Sequence, residues 1–416
     1  MRSGAALWFD LSSLVRHAGA ASGIQRVASG LAIGLRDARP ARSIRFCRFD
    51  KVQGFVPLDD ADVDRALEGL GRAAEREPEV PGVVTRLRRR ITTRSPLRSP
   101  FARGDTLFNP GFATYKPRSH AAVAALLERS DVRYVGFVYD LLPVLFPEWW
   151  TPDQQERYRE WFVWTGLHAA LMLCCSDSTR TDALRFFADA TIATGPIETV
   201  GLGDELPRGL AAARADVHEP AAAARPFVLF VSTLEVRKNH RLLFQVWRRL
   251  LDAHGPERIP ELVFVGKRGW LIDDFVTELE HARFLDGKIV WHERVDDAEL
   301  ARLYATCLFT VYPSLYEGWG LPVAEALSFG KYGVVSSASS LREVGRDFVD
   351  YHDPHDIAGA TALIERAIFD ASLRERKEQT IRERFRARSW QASAEEVLQR
   401  IERARDAVPD RVAARI

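Results

Sequence analysis

A glycine-rich turn that carries two glutamates, within Pro313 to Gly330, has the residue types needed to bind a phosphorylated sugar. Glu317 stands just before Gly318 and Gly320, and Glu325 follows about one helical turn into the next segment. Each carboxylate can accept two hydroxyl hydrogen bonds, which suits the vicinal diol of a hexose or a ribose. The turn comes directly after an apolar run that predicts a buried strand.

A helix is expected to begin near Leu321, because Pro322 suits the first helical position and Gly330 the position past the end. The free amides of its first turn, beside Trp319 and Gly320, would attract a diphosphate. The plain alternative is a common glycine turn, in which the glutamates only complement the helix dipole.

Basic residues follow two other predicted strands. Arg237 and Lys238 lie in the segment from Val231 to His240, where the chain turns into a helix, and Lys267 lies in Val265–Trp270. Arginine offers a planar fork and lysine a compact charge to a diphosphate. Alternatively, the first segment is a solvated basic turn. The second would bind either the donor base or a phosphate.

Two features of the first half are weaker candidates. Gly23 opens a helical pattern and would bind an anion or an acceptor hydroxyl there, or only form a tight turn. Asp140 follows the apolar strand Tyr134–Tyr139 and would orient a sugar, although aspartate is also common in turns.

Strands alternate with helices on both sides of an Ala- and Pro-rich stretch, which predicts an α/β protein with two Rossmann-like doubly wound domains facing a cleft. The expected division is an acceptor-binding domain over 1–205, a linker over 206–226, a nucleotide-sugar-binding domain over 227–395 and a helical tail over 396–416. Ligands in such domains bind at the carboxyl ends of the strands.

Composition narrows the class of protein. The net charge of +1 over 416 residues gives no electrostatic argument for nucleic acid. The four cysteines lack metal-ligand spacing, and no metal site is expected. We find neither a signal peptide nor a membrane-spanning run, so a cytoplasmic protein is expected. The arginine-rich stretch from Arg86 to Arg98 would contact anionic lipid peripherally, or remain a solvated loop.

The chain resembles the family-4 retaining glycosyltransferases of the GT-B fold. In the second half the resemblance rests on the segments STLEVRKNH, VGKRGW, YPSLYEGWGLPVAEALSFG and ASSLREVG, with YHDPHD beyond them. The first half is similar to bacterial polysaccharide-assembly members, including O-antigen enzymes, through WFDLSSLVRH, SGIQRV, FVYDLLPVLFPEWW and CSDSTRTDAL. The spacing of Glu317 and Glu325 matches the two-glutamate signature of that family.

By resemblance, Glu325 would bind the nucleotide ribose. Glu317 and the amides near Gly318 and Trp319 would contact the donor sugar, and Lys238 with Arg237 would hold the diphosphate. Two departures exist: Val231-Ser232 replaces a Gly-Arg pair found in many relatives, and Tyr139 replaces a histidine.

The resemblance implies transfer of a mannose-type hexose from a nucleotide-diphosphate donor, with GDP favoured, onto a glycan or lipid-linked saccharide. It implies no cofactor and no metal, since basic side chains would neutralise the leaving diphosphate. Two other readings stay open at this point, a nucleotide-sugar epimerase and a non-catalytic glycan-binding scaffold on the same fold.

Overall fold

The structure is a computed structural model, and it describes residues 5–15, 23–38, 43–72, 98–111, 117–216 and 225–407. The chain separates into two compact units. Unit 1 comprises Met1–Pro147, Thr151–Gly203 and Ser389–Ile416, and unit 2 comprises Glu148–Trp150 and Asp204–Arg388. The expected fold class, two Rossmann-like α/β domains, is confirmed.

Unit 1 is built on a seven-stranded sheet. Its strands are β1 (Leu7–Asp10), β2 (Ile44–Asp50), β3 (Gly54–Leu58), β4 (Thr106–Asn109), β5 (Arg133–Val138), β6 (Ala169–Cys174) and β7 (Ile197–Thr199). Its helices are α1 (Ser12–Val15), α2 (Gly23–Asp37), α3 (Asp60–Arg72), α4 (Pro117–Arg129), α5 (Leu142–Leu145), α6 (Pro152–His168) and α7 (Asp177–Asp189). The strand order is β3-β2-β1-β4-β5-β6-β7, and every pairing is parallel except that of β2 with β3.

Unit 2 contains a six-stranded parallel sheet. Its strands are β8 (Phe227–Val231), β9 (Glu261–Val265), β10 (Ile289–His292), β11 (Thr310–Tyr312), β12 (Gly333–Ser336) and β13 (Asp350–His352). Its helices are α8 (Arg208–Asp216), α9 (His240–His254), α10 (Asp273–His281), α11 (Arg283–Gly287), α12 (Asp297–Thr306), α13 (Leu321–Ser328), α14 (Leu341–Gly345), α15 (Ile357–Phe369) and α16 (Ala371–Arg384). Short 3₁₀ helices span Pro147–Trp149 and Val236–Lys238.

The strand order of unit 2, β10-β9-β8-β11-β12-β13, reverses direction between β8 and β11. Doubly wound sheets bind ligands at such a switch point, at the carboxyl ends of the two strands on either side of it. We refer to this place, at the carboxyl ends of β8 and β11, as the crevice. The buried strands hold the crevice in place, since β8 and β11 are lined by residues such as Phe230 and Val311 that are at most 2% exposed.

The last helix, α17 (Trp390–Ala407), belongs to unit 1 and packs on α2. A Cβ added to Gly30 would lie 2.1 Å from the Trp390 ring, and one added to Gly203 would lie 2.5 Å from it. Residues without side chains therefore make room for this tryptophan. Val397 and Ile401, further along α17, are buried.

These boundaries differ from the division expected from sequence. The expected second domain ran to residue 395 and left a tail over 396–416, whereas the chain passes back to unit 1 at Ser389 because α17 buries its apolar face there. The expected linker over 206–226 includes α8, whose Leu210 is buried against unit 2. Residues 217–224, 408–416 and the arginine-rich stretch up to residue 97 lie outside the described residues.

Candidate active site

The strongest sequence candidates meet at the crevice between β8 and β11. The loop after β8 carries Arg237 and Lys238 on a 3₁₀ helix, and the loop after β11 carries Glu317. The two loops are joined by a backbone hydrogen bond of 2.8 Å from the Leu315 amide to the Arg237 carbonyl. Residues almost eighty positions apart in sequence are thus held in one place.

Glu317 forms a buried charged cluster with both cations. Its Oε1 accepts a hydrogen bond from Lys238 Nζ at 2.5 Å, and its Oε2 accepts one from Arg237 Nη1 at 2.6 Å. Lys238 Nζ also donates to the Tyr312 hydroxyl at 2.9 Å, and that hydroxyl donates to Glu317 Oε1 at 3.2 Å. Because Glu317 is 6% exposed and Lys238 8% exposed, these charges compensate one another away from bulk water.

A second carboxylate completes the cluster. Glu235 is 3% exposed, and its Oε1 lies 2.7 Å from Arg237 Nε. Two cations and two carboxylates therefore share this end of the sheet. Glu235 and Tyr312 lie within the motifs STLEVRKNH and YPSLYEGWGLPVAEALSFG, but no role for them follows from the sequence, because their relevance depends on contacts between distant loops.

The cluster fixes the ionisation of its members. Burial raises the pKa of Glu317, but the charges of Arg237 and Lys238 outweigh burial and lower that pKa to about 2. Burial, together with the nearby Arg237, lowers the pKa of Lys238 against the opposing effect of Glu317. Burial raises the pKa of Tyr312 well above its ordinary value, so its phenol keeps its proton.

The turn that carries Glu317 is held rigidly by two serines. The Glu317 amide donates to Ser339 Oγ at 2.8 Å, and Ser340 Oγ donates to the carbonyls of Glu317 at 2.9 Å and Trp319 at 2.7 Å. Gly320 has a φ of +142°, and a Cβ there would lie 2.8 Å from Leu341 Cδ2. The turn therefore requires glycine at this position.

Helix α13 begins at Leu321, as the sequence predicted, with Gly320 at its N-cap and Pro322 in its first turn. Gly320 has no side chain to accept the first amides, and Gly318 lies in the same turn. Glu325, on this helix, is 3% exposed, and its Oε2 accepts a hydrogen bond of 2.8 Å from the buried Tyr304 hydroxyl. One carboxylate oxygen of Glu325 is thus oriented by Tyr304, whose role no sequence motif indicates.

Lys267 lies on the loop after β9, next to the loop that carries Glu235. The Leu234 amide donates to the Lys267 carbonyl at 2.9 Å, and the Gly269 amide donates to the Leu234 carbonyl at 2.8 Å. A Cβ added to Gly266 would lie 2.0 Å from the Ser232 carbonyl oxygen, so this approach requires glycine. The Lys267 side chain is exposed.

The candidates of the first half belong to unit 1. Asp140 follows β5, and its Oδ1 accepts a hydrogen bond of 3.2 Å from the Leu142 amide. The preceding Tyr139 is buried and donates from its hydroxyl to the Pro110 carbonyl at 2.7 Å. Gly23 is exposed and is the first residue of α2. The roles suggested for Gly23 and Asp140 stay predictions.

Among the described residues, no group of three or more His, Cys, Asp or Glu side chains has the arrangement to hold a metal ion. Nor does any helix among those residues have the length and apolar character needed to cross a membrane.

Comparison with known proteins bears on the same region. The family described as "Glycosyl transferases group 1" matches residues 215–384. The O-antigen chain mannosyltransferase B of Escherichia coli is 34% identical over 247 residues, which are 58% of this chain and 63% of that protein. The serotype-specific mannosyltransferase WbdA of Escherichia coli is 29% identical over 239 residues, covering 54% of this chain and 28% of that protein. The chain thus spans under two thirds of the length of these relatives.

Solved structures share the fold of nearly the whole chain. Sucrose-phosphate synthase from Thermosynechococcus elongatus superposes with a TM-score of 0.62 at 15% identity, over 97% of this chain and 100% of that one. HepE from Anabaena in complex with UDP superposes with a TM-score of 0.60 at 15% identity, over 96% of this chain and 100% of that one. Residues 215–384 therefore match the glycosyl transferases group 1 family, and the chain shares the GT-B fold of these structures.

Proposed function

We propose that this chain is a glycosyltransferase that moves a mannose-type hexose from a nucleotide-diphosphate donor onto a glycan or lipid-linked saccharide. The observation that carries the proposal is the Glu317 carboxylate, held by Arg237 and Lys238 at the switch point of a glycosyl transferases group 1 domain. The names of the relatives, an O-antigen chain mannosyltransferase and a serotype-specific mannosyltransferase, support the sugar and its place in surface polysaccharide synthesis.

In this proposal the donor lies along the crevice of unit 2. The diphosphate binds to Arg237, Lys238 and the amides at the start of α13. Glu317 and the backbone at Gly318 form hydrogen bonds with hydroxyls of the donor hexose. Glu325 accepts a ribose hydroxyl with the carboxylate that Tyr304 orients. Lys267, which is exposed on the adjoining loop, binds the phosphates or the base of the donor. The base in this proposal is guanine.

Transfer with retained anomeric configuration is part of the proposal. The C1–O bond to the diphosphate breaks first, and the acceptor hydroxyl attacks the resulting oxocarbenium-like carbon from the same face. The departing phosphate oxygen takes the acceptor proton. Arg237 and Lys238 stabilise the negative charge that develops on the diphosphate, so these basic groups act where charge appears in the transition state. Asp140 is proposed to orient the acceptor.

The test is transfer by the purified full chain with GDP-, UDP- and dTDP-hexoses, with and without a lipid-linked mannoside acceptor. We expect nucleoside diphosphate release that depends on the acceptor, highest with GDP-mannose, and an α-linked product by NMR. Glu317→Ala and Lys238→Ala should each lower transfer by about 10²-fold or more, which is the usual effect of losing such a stabilising group. Asp347→Asn, which removes a surface ion pair with Arg384 beyond α14, should not.

Other outcomes would replace the proposal. Nucleotide release and a changed sugar without any acceptor indicate an epimerase. Donor or glycan binding by calorimetry without turnover indicates a binding scaffold. Near-normal turnover in both Glu317→Ala and Lys238→Ala would remove the proposed site from the reaction.

The site of action that we propose is the cytoplasmic side of the cell membrane. A lipid-linked acceptor lies at a membrane surface, and the arginine-rich sequence between Arg86 and Arg98 offers positive charge to anionic lipid. Co-sedimentation with vesicles that contain phosphatidylglycerol should therefore be strong at low salt and lost at high salt. Equal recovery of the protein with neutral vesicles would contradict the proposed binding to anionic lipid.

A further inference from the structure

The guanidinium of Arg237 is held by carboxylates on two of its edges. Its Nε lies 2.7 Å from Glu235 Oε1, and its Nη1 lies 2.6 Å from Glu317 Oε2. The contact at Nη1 is a hydrogen bond, and the contact at Nε is an ion pair. Because a guanidinium is planar, the hydrogen bond at Nη1 and the negative charge beside Nε together restrict the plane in which its donors point.

Glu235 is itself fixed by the neighbouring loop. It is the N-cap of the 3₁₀ helix Val236–Lys238, and the Lys238 amide donates to its carbonyl at 3.0 Å. A Cβ added to Gly269 would lie 3.1 Å from Glu235 Cβ, so the loop after β9 packs directly on this side chain. A carboxylate that is 3% exposed at such a position needs a charged partner, and Arg237 provides it.

We infer that Glu235 is a positioning residue that aims the guanidinium of Arg237 at the diphosphate of the donor. This inference rests on the proposed function, since it assigns a role within the same site. Glu317 holds the Nη1 side of the guanidinium and must also bind the donor sugar. Glu235 faces Nε and, in this proposal, binds no part of the donor. Glu235 thereby keeps Arg237 oriented while Glu317 exchanges its partners for sugar hydroxyls.

The inference makes a kinetic distinction. The charge on the leaving diphosphate grows in the transition state, so a guanidinium that is present but misdirected loses transition-state stabilisation more than ground-state binding. Glu235→Gln retains the shape of the side chain and removes its charge. It should lower kcat by about 10- to 100-fold, the range typical of a misplaced group, while the donor KM changes by less than about threefold.

A double-mutant cycle tests whether Glu235 acts through Arg237. We would measure kcat and donor KM for the full chain and for Glu235→Gln, Arg237→Gln and the double variant, with GDP-mannose and the lipid-linked acceptor. Once Arg237 is replaced, Glu235→Gln should lower kcat by no more than about twofold, because coupled residues are not additive. Glu235→Asp, which restores the charge on a shorter side chain, should recover part of the lost kcat.

Two measurements separate this role from a structural one. Thermal unfolding of each variant sets an assay temperature well below the transition. Glu261→Gln, which removes an ion pair with the exposed Arg225 at the amino end of β9, serves as the control and should leave kcat unchanged. Wild-type kcat in a folded Glu235→Gln variant, or equal losses with and without Arg237, would overturn the inference. A wild-type chain that transfers from no donor would instead overturn the proposed function.

Discussion

Lys238 and Glu317 stand 79 positions apart in the chain, yet Lys238 Nζ lies 2.5 Å from Glu317 Oε1 in the interior of unit 2. The contact exists because β8 and β11 are neighbours in the sheet and the loops that follow them begin at the same edge. Arg237 takes the other oxygen of the same carboxylate. The pair is therefore part of the folded core as well as of the proposed donor site.

The first prediction concerns stability. Glu317→Gln leaves the buried Lys238 and the partly buried Arg237 without their shared carboxylate and should lower the free energy of unfolding by about 3 kcal/mol or more. Lys238→Met leaves Glu317 paired with Arg237, so its cost should be smaller, about 1–2 kcal/mol. Denaturant unfolding at neutral pH measures both, with Asp347→Asn as the surface control. A larger loss for Lys238→Met than for Glu317→Gln would contradict this account.

The second prediction concerns pH. The pKa of Glu317 is about 2 in the folded protein, against an ordinary value of 4.5. Because the folded pKa is depressed, the stability from this group is fully present above pH 4.5 and is lost as pH falls toward about 2. The difference in unfolding free energy between wild type and Glu317→Gln should accordingly narrow across that window. A difference that stays constant down to pH 2 would show that Glu317 is not held ionised.

The third prediction concerns Tyr304 and the ribose. The Tyr304 hydroxyl donates to Glu325 at 2.8 Å, and its ring stacks on Phe329. Tyr304→Phe keeps the stacking and removes the hydrogen bond, so donor KM should rise about 5- to 10-fold, equivalent to about 1–1.4 kcal/mol for one lost hydrogen bond. Glu325→Gln should raise KM at least as much. A Tyr304→Phe variant with unchanged KM would indicate that Glu325 is oriented by other contacts.

The fourth prediction concerns the turn. Gly320→Ala places a Cβ at a φ of +142° and 2.8 Å from the buried Leu341 side chain. We expect a loss of about 2 kcal/mol or more in unfolding free energy, together with reduced transfer, since the start of α13 must shift. Gly255→Ala is the matched control, because its φ is +77° and nothing lies within 4 Å of the added Cβ. Equal stability changes in the two variants would show that Leu341 imposes no steric limit.

Much of the fold followed from sequence because local periodicity reports burial. The alternation of apolar runs with helical patterns predicted the strands and helices of unit 2, and Pro322 correctly marked the start of α13. Weakly patterned elements were not predicted, among them β3, whose antiparallel pairing depends on β2, and α8, which has one strongly buried residue, Leu210. The return of α17 to unit 1 also escaped prediction, since its own sequence does not show which unit its apolar face covers.

The amino-acid sequence by itself determined which residue types stand at strand ends, and hence that Glu317, Glu325 and Lys238 were candidates for one sugar-nucleotide site. Only the tertiary structure decided which residues contact them. Tyr312 and Arg237 form hydrogen bonds with Glu317, Tyr304 forms one with Glu325, and Glu235 forms an ion pair with Arg237. The physical reason is that spacing along a chain encodes local geometry. Ion pairing and hydrogen bonding between loops depend instead on the order of strands in the sheet, which local patterns do not contain.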